Sequence, residues 1–299
     1  MILARTARES CSRSPLGPKV AMVSYPVPPA LQSLRKLVLS AGEILVAQQG
    51  ALGKVAYKST TELVTDLDRQ VEDFLVAGLG ELFPADGVLA EEGGTRQGDA
   101  QRLWYIDPLD GTTNYVHGYP FYCISLGCAE AEDLQLGVVY GPYLDELYLA
   151  IKGQGAWLER PRLGERQRLT KRKPVSLTQA LLATGFPYHR DATVLRNTEY
   201  LRRFLQANCH GVRRGGSAAL DLCHVAAGRL DGYWEMRLRP WDVAAGTLMA
   251  REAGALVTDF AGGAGLLTGE TVLAAAPELH AEMQSILAAD GEEDKLGGL

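Results

Sequence analysis

The sequence holds no apolar run near the roughly 20 residues that cross a bilayer as a helix, and residues 1–20 alternate Arg, Ser and Gly without the apolar centre of an export signal. A cytoplasmic location with no membrane contact is the expectation. Cysteine is scarce as well: Cys11, Cys123, Cys128, Cys209 and Cys223 are odd in number, scattered, and free of any close metal-binding spacing. They read as ordinary thiols of a reducing compartment, with neither disulfides nor zinc expected. Basic residues are in deficit, 30 Lys and Arg against 36 Asp and Glu for a net charge of −6. An acidic surface gains little from a polyanion, which argues against nucleic acid as a partner. A small anionic substrate would need its charge neutralised locally.

What is present suits a sizeable core: 299 residues at 46% hydrophobic and 22% charged make one large domain or two intimate lobes. Residues 1–26 carry no periodicity, and Met22 offers a second start, so they are set apart as a disordered extension or an over-long beginning. The polar, Gly-rich residues 291–299 read as a flexible tail. Residues 27–290 are expected to form one domain with lobes at about 27–172 and 173–290.

From Pro29, Leu31, Leu34, Val38, Ala41 and Leu45 recur at steps of three and four and predict a helix to about Gln48. A second helix is predicted from the 65–68 region, burying Val71, Phe74, Leu75 and Leu82 and stopping at Phe83-Pro84. Short apolar runs at 87–90, 103–106, 122–129, 136–140 and 146–151 predict a largely antiparallel sheet. Beyond Pro174 strands at 181–184, 211–214, 232–236 and 255–259 alternate with helices at 193–206, 217–227 and 243–253, an α/β layer after an α+β layer. The basic stretch 160–173 reads either as the connection between lobes or as a solvated loop.

The segment Trp104-Tyr-Ile-Asp-Pro-Leu-Asp-Gly-Thr-Thr-Asn114 carries the most chemistry. A strand delivers Asp107 to its end, Pro108 stiffens the exit, and Asp110 follows close behind, so two carboxylates converge on a tight turn. Like charges this close repel unless cations neutralise them. Gly111 lets the chain approach a ligand, and the amides and hydroxyls of Thr112 and Thr113 can donate to phosphate oxygens. Taken alone, an Asp/Gly/Thr-rich turn is ordinary surface structure. Four further features have ordinary readings of their own: Glu91-Glu92 after a strand as a solvated loop, Asp242 before a small-residue helix as an N-cap, Lys58 to Asp68 as helix capping, and Gly215-Gly-Ser-Ala-Ala-Leu-Asp221 as a close-packed helix start or an anion site. Their joint occurrence is not an ordinary coincidence.

The 107–114 string, the Glu91-Glu92 pair, and Trp241-Asp-Val-Ala-Ala-Gly246 with Arg251-Glu-Ala-Gly254 resemble the motifs of the inositol monophosphatase family, in order from about residue 31 to 288. Residues 212–222 and 238–242 are similar to its bacterial inositol-1-monophosphatase branch. Departures are small: Ala90 and Ala255 stand where glycine is common, and Gly93 where serine is frequent. The resemblance implies a layered αβαβα sandwich of the sugar-phosphatase type, with an antiparallel-sheet N-terminal lobe and an α/β C-terminal lobe. It implies Mg²⁺-dependent hydrolysis of a small phosphate monoester, inositol 1-phosphate first, by metal-activated water in a homodimer. Glu91, Asp107 and the Leu109 carbonyl would hold one ion, and Asp107, Asp110 and Asp242 a second. Two or three ions are implied per site, with Mn²⁺ a substitute. Asp68 and Thr112 would orient the water, and Lys58 would balance charge. Gly111 and Thr112 would meet phosphate, while Gly216, Ser217, Ala218 and Glu235 would face the sugar or polyol. His117, His189 and His224 are left structural or surface roles. Related substrates are histidinol phosphate, fructose 1,6-bisphosphate, NADP and 3'-phosphoadenosine phosphates; a reading of another class is a regulatory binding protein using Arg213, Arg214, Arg237 and Arg239.

Overall fold

In the computed structural model the stripe Leu31, Leu34, Val38, Ala41 and Leu45 is buried along α1 (Pro29–Gln48), which ends where Gly50 takes a positive φ of 84°. The structure describes residues 29–50, 55–57, 63–98, 101–170, 175–187, 191–268 and 270–288; the expected extension 1–26, Lys58, His189 and the tail 291–299 lie outside them. Strands β1 (Val55–Tyr57) and β2 (Leu63–Thr65) form a two-stranded antiparallel sheet that leads into α2 (Asp66–Leu82). The buried stripe of α2 is Leu67, Val71, Leu75 and Leu79, four residues apart. Phe74, predicted to be buried, lies on the flank of that stripe and is 37% exposed.

An eight-stranded sheet follows, built from β3 (Gly87–Ala90), β4 (Thr95–Arg96), β5 (Arg102–Asp110), β6 (Cys123–Glu130), β7 (Asp133–Gly141), β8 (Glu146–Ile151), β9 (Gly155–Arg160) and β10 (Glu165–Leu169), with the five-residue α3 (Thr112–Val116) after β5. Its order is β10-β9-β8-β7-β6-β5-β3-β4, antiparallel throughout except for the parallel β3–β5 pair. The basic stretch from Arg160 is therefore not a loop throughout: its described part belongs to the large sheet, and residues 171–173 lie outside the described residues. Through Leu169 it is the turn and outer strand of the β9–β10 hairpin, and its alternating charges suit a sheet edge, where they discourage pairing with another chain.

After β11 (Leu181–Thr184) come α4 (Ala192–Gln206), β12 (Gly211–Arg213), α5 (Ala218–Ala226), β13 (Gly232–Met236), α6 (Pro240–Glu252), β14 (Leu256–Thr258), β15 (Thr271–Ala275) and α7 (Pro277–Ala288). The five-stranded sheet runs β12-β11-β13-β15-β14; β11 is parallel to β12 and β13, and the remaining pairs are antiparallel. Helices α1 and α2 cover the outer face of the large sheet. Helices α5 and α6 lie between the two sheets, and α4 and α7 cover the far face of the small one. The result is a five-layer αβαβα sandwich whose apolar faces are each buried against a neighbour.

The middle layer depends on small residues. A Cβ on Gly127 would stand 2.5 Å from Ala244 Cβ, and one on Gly137 would stand 2.8 Å from the Ala245 carbonyl oxygen. Helix α6 thus lies directly on β6 and β7. Because the obstacle at Gly137 is backbone, Gly137→Val should lift α6 and lower stability by about 3 kcal/mol, read as a drop in the urea midpoint.

Candidate active site

Asp107 and Asp110 are three residues apart, so on a regular strand they would point to opposite faces. The β5–β6 register corrects this: Asp107 pairs with Ser125 and Asp110 with Cys123, three steps against two, which is a bulge of one extra residue. The bulge re-aims both carboxylates to one side, and Pro108, which has no N–H to pair, sits where the ladder is interrupted. Gly111 follows at φ 94°. A Cβ there would come 3.0 Å from the Phe121 carbonyl oxygen and 3.2 Å from that of Gly216, so the turn needs glycine for both conformation and space.

Other elements bring further acids to this turn. Glu91 leaves the end of β3 with its N–H bonded to the Ile106 carbonyl at 3.1 Å. Asp242 stands at the third position of α6, which starts at Pro240 rather than at the predicted Val243. It is therefore not an N-cap; its Oδ2 accepts from the Arg239 N–H at 2.6 Å. Asp68, in the first turn of α2, accepts from the Thr112 hydroxyl at 3.2 Å, a bond across 44 residues, and the Leu109 carbonyl offers the same hydroxyl a second acceptor at 3.0 Å.

Glu91, Asp107, Leu109, Asp110, Gly111, Thr112, Gly216, Ser217, Ala218, Glu235 and Asp242 all line one cavity of about 290 Å³. Sequence reasoning had singled out every one of them. Ser217 differs in what its hydroxyl does: it donates to Asp110 Oδ2 at 2.7 Å, beside the Ala219 N–H at 2.8 Å, and so faces the carboxylate rather than a polyol. Of the histidines, His117 is exposed and His224 packs edge-on against Phe121 and contacts Arg229. The described cysteines are free thiols, and Cys123, Cys128 and Cys223 are buried.

Electrostatics follow from crowding. Burial raises the Asp107 carboxyl well above the usual carboxylate range, and the charges of Glu91, Asp110 and Asp242 raise it further. Asp242 is raised by burial and then by Asp110 and Glu91. Asp110 rises through burial to about 6, held down by its bonds to Ser217 and to the α5 amides. Such a cluster is stable as anions only beside cations. Among the described residues no three acidic, histidine or cysteine side chains are already disposed as a metal cage, and Asp110 and Asp242 each turn one oxygen to a backbone amide. Chemically the donor set still fits a hard cation: four carboxylates and a carbonyl around one cavity, all oxygen, with repulsion that a cation relieves.

Glu72 and Gly185 escaped the sequence reading, and Asn114 and three of the arginines were named there without the places they take here. Glu72, one turn after Asp68 on α2, accepts from the Glu92 and Gly94 N–H groups at 2.7 Å each and so shapes the Glu91 turn; its i+4 spacing from Asp68 was the available signal. Asn114 donates to the carbonyls of Phe121 at 2.6 Å and Gly215 at 3.0 Å, with Gly216 at 3.4 Å. It fastens the Asp110 turn to the loop before α5. Gly185, Arg214, Arg237 and Arg239 also line the cavity, the three arginines exposed at its mouth.

The inositol monophosphatase family profile matches residues 29–293, and the chain belongs to that family, a family of phosphatases whose members are generally metal-dependent. It is 42% identical to the Nus factor SuhB of Pseudomonas aeruginosa over 78% of this chain and 86% of that protein. It is 39% identical to the inositol-1-monophosphatase of Mesorhizobium japonicum, over 85% of this chain and 91% of the relative. Among solved structures, the extragenic suppressor protein suhB of Bartonella henselae superposes with a TM-score of 0.80 at 34% identity, covering 87% of this chain and 99% of that one. No helix among the described residues is long and apolar enough to cross a membrane.

Proposed function

We propose that the protein is a Mg²⁺-dependent phosphatase that hydrolyses inositol 1-phosphate to inositol and phosphate. The supporting observation is the convergence of Glu91 after β3, Asp107 and Asp110 on β5, and Asp242 on α6, three separate parts of the fold, on one cavity beside the Thr112–Asp68 hydrogen bond. Glu91, Asp107 and the Leu109 carbonyl would hold one cation and Asp107, Asp110 and Asp242 another, so that Asp107 is shared. Bound there, the cations supply charge stabilisation to the oxygens of the phosphoryl group and lower the pKa of a water molecule.

The protein's own groups do the rest. Thr112, whose hydroxyl lies within hydrogen-bond reach of both Asp68 and the Leu109 carbonyl, keeps a lone pair with which to orient the attacking water, and Asp68 stands next in line for the proton. The N–H groups of Gly111 and Thr112 donate to phosphate oxygens as charge builds on them. Glu235, across the cavity, accepts from the hydroxyls of the leaving polyol. Burial raises its carboxyl to about 7, and the Tyr233 hydroxyl, which donates to it, restrains the rise. Phosphate release should require Mg²⁺ and be faster for myo-inositol 1-phosphate than for histidinol phosphate, fructose 1,6-bisphosphate or NADP, with Mn²⁺ a working substitute. A panel in which another ester is preferred replaces the substrate; a panel with no release at all removes the activity.

A second role, as a binding partner, is favoured by the relative named a Nus factor and by the exposure of Arg213, Arg214, Arg237 and Arg239, the last three of which line the cavity. Under that reading Asp107→Asn protein still captures its partner in a pull-down. Loss of capture on replacing the carboxylate ties the role to the site instead.

A further inference from the structure

Glu235 lines the cavity beside a residue that has no side chain. Strand β13 alternates its faces: Trp234 packs toward α4 and α7, while Tyr233 and Glu235 face the middle layer. In the parallel β11–β13 pair Thr184 is opposite Trp234, so Gly185, one residue beyond the last paired position, comes alongside Glu235. A Cβ built on Gly185 would overlap the Glu235 carboxylate, carbon and both oxygens. Gly185 does not have a positive φ, so backbone conformation does not demand glycine there; the space taken by the carboxylate does.

Both partners are pinned. The Gly185 carbonyl accepts from the buried Asn197 side chain of α4 at 2.5 Å and from the Thr184 hydroxyl at 3.2 Å. Asn197 in turn accepts from the Trp234 indole at 3.1 Å, which ties the exit of β11 to the residue preceding Glu235. On its other side the carboxylate accepts from the Tyr233 hydroxyl.

We infer that Gly185, fixed by Asn197, is a positioning residue that seats Glu235 in the cavity and thereby sets the preference for a hydroxyl-bearing alcohol over a bare phosphate ester. The inference rests on the proposed reading of Glu235 as the group that accepts from the polyol. An added methyl displaces the far end of a flexible side chain and leaves the backbone in place, so Gly185→Ala should fold while Glu235 loses its seat.

The test combines two readouts on Gly185→Ala, Glu235→Ala and the double variant. In Mg²⁺ assays, Gly185→Ala should raise KM for myo-inositol 1-phosphate about tenfold more than KM for phenyl phosphate, which has no hydroxyl to bind. In the Glu235→Ala background the same change should leave the ratio of the two KM values within about twofold of the single variant. Adding Glu235→Asp to Gly185→Ala shortens the acid and should restore part of the discrimination. In thermal melts, Gly185→Ala should lower the midpoint by about 2 °C or more when Glu235 is present and by less when it is Ala. Equal losses on both esters, or melting shifts that simply add, overturn the inference. Coupled melting shifts without any preference for the polyol ester keep the Gly185–Glu235 seat and remove the substrate reading instead.

Discussion

Asp110→Asn protein is expected to fold like the wild type and to lose phosphate release by about a thousandfold or more at saturating Mg²⁺. The fold should survive because the amide keeps an oxygen to accept from the Ser217 hydroxyl and the Ala219 N–H, the two bonds that tie this position to α5. Its neighbours lose a repelling charge, since Asp110 is among the groups that raise both Asp107 and Asp242. What disappears is a negative donor at the turn where two of the four acids converge. Thermal melting and single-turnover assays read the two effects separately. Near-normal turnover at ordinary Mg²⁺ would remove Asp110 from the proposed ligand set.

A second substitution acts first on stability. Asn114→Asp replaces a donor with a carboxylate facing the carbonyl oxygens of Phe121, Gly215 and Gly216. Two hydrogen bonds are lost and a mostly buried charge is left among acceptors, a cost of about 3 kcal/mol. Activity should fall with it, because the clamp sets the loop before α5 against the Asp110 turn. The introduced carboxyl would have a folded-state pKa above its unfolded value, so the protein is relatively most stable below the unfolded pKa and weakens as pH rises through the folded one. Urea midpoints at pH 5 and pH 8 check the sign: the deficit against wild type should be larger at pH 8. Asn114→Ala, which removes the donors without adding charge, should cost less.

The sequence was most readable where chemistry is local. The 107–114 turn announces itself because two acids, a proline and a glycine must be adjacent to make it. The stripe of α1 was legible because its apolar spacing is regular. Even so, β5 runs on to Asp110, past the predicted end at Ile106, since a bulge lets the strand continue through Pro108. The outer strand of the β9–β10 hairpin was hidden because an edge strand carries charge on the residues that would otherwise mark it as apolar and alternating. Strand β15 and helix α7, which complete the small sheet and its outer layer, carried no motif that drew notice.

The supporting residues were hidden for a different reason. Glu72 acts on a turn 20 and 22 residues away, and Asn114 on a loop 101 residues away. Gly185 matters only through the carboxylate that the β11–β13 register brings beside it. Ser217 was recognised as part of the site, but the direction of its hydroxyl follows from how α5 meets β5. Identity of the reacting groups is written in motifs; the tertiary contacts that aim them are not.

The central claim is that carboxylates from β3, β5 and α6 act together by holding divalent cations. Manganese binding followed by electron paramagnetic resonance, on wild-type and Asp107→Asn protein stripped with EDTA, tests it most directly. The account predicts that wild-type protein takes up Mn²⁺ and regains phosphate release in step with uptake, while the Asp107→Asn protein, correctly folded, does neither. Full phosphate release by stripped wild-type protein, or unchanged Mn²⁺ uptake by Asp107→Asn, would contradict it.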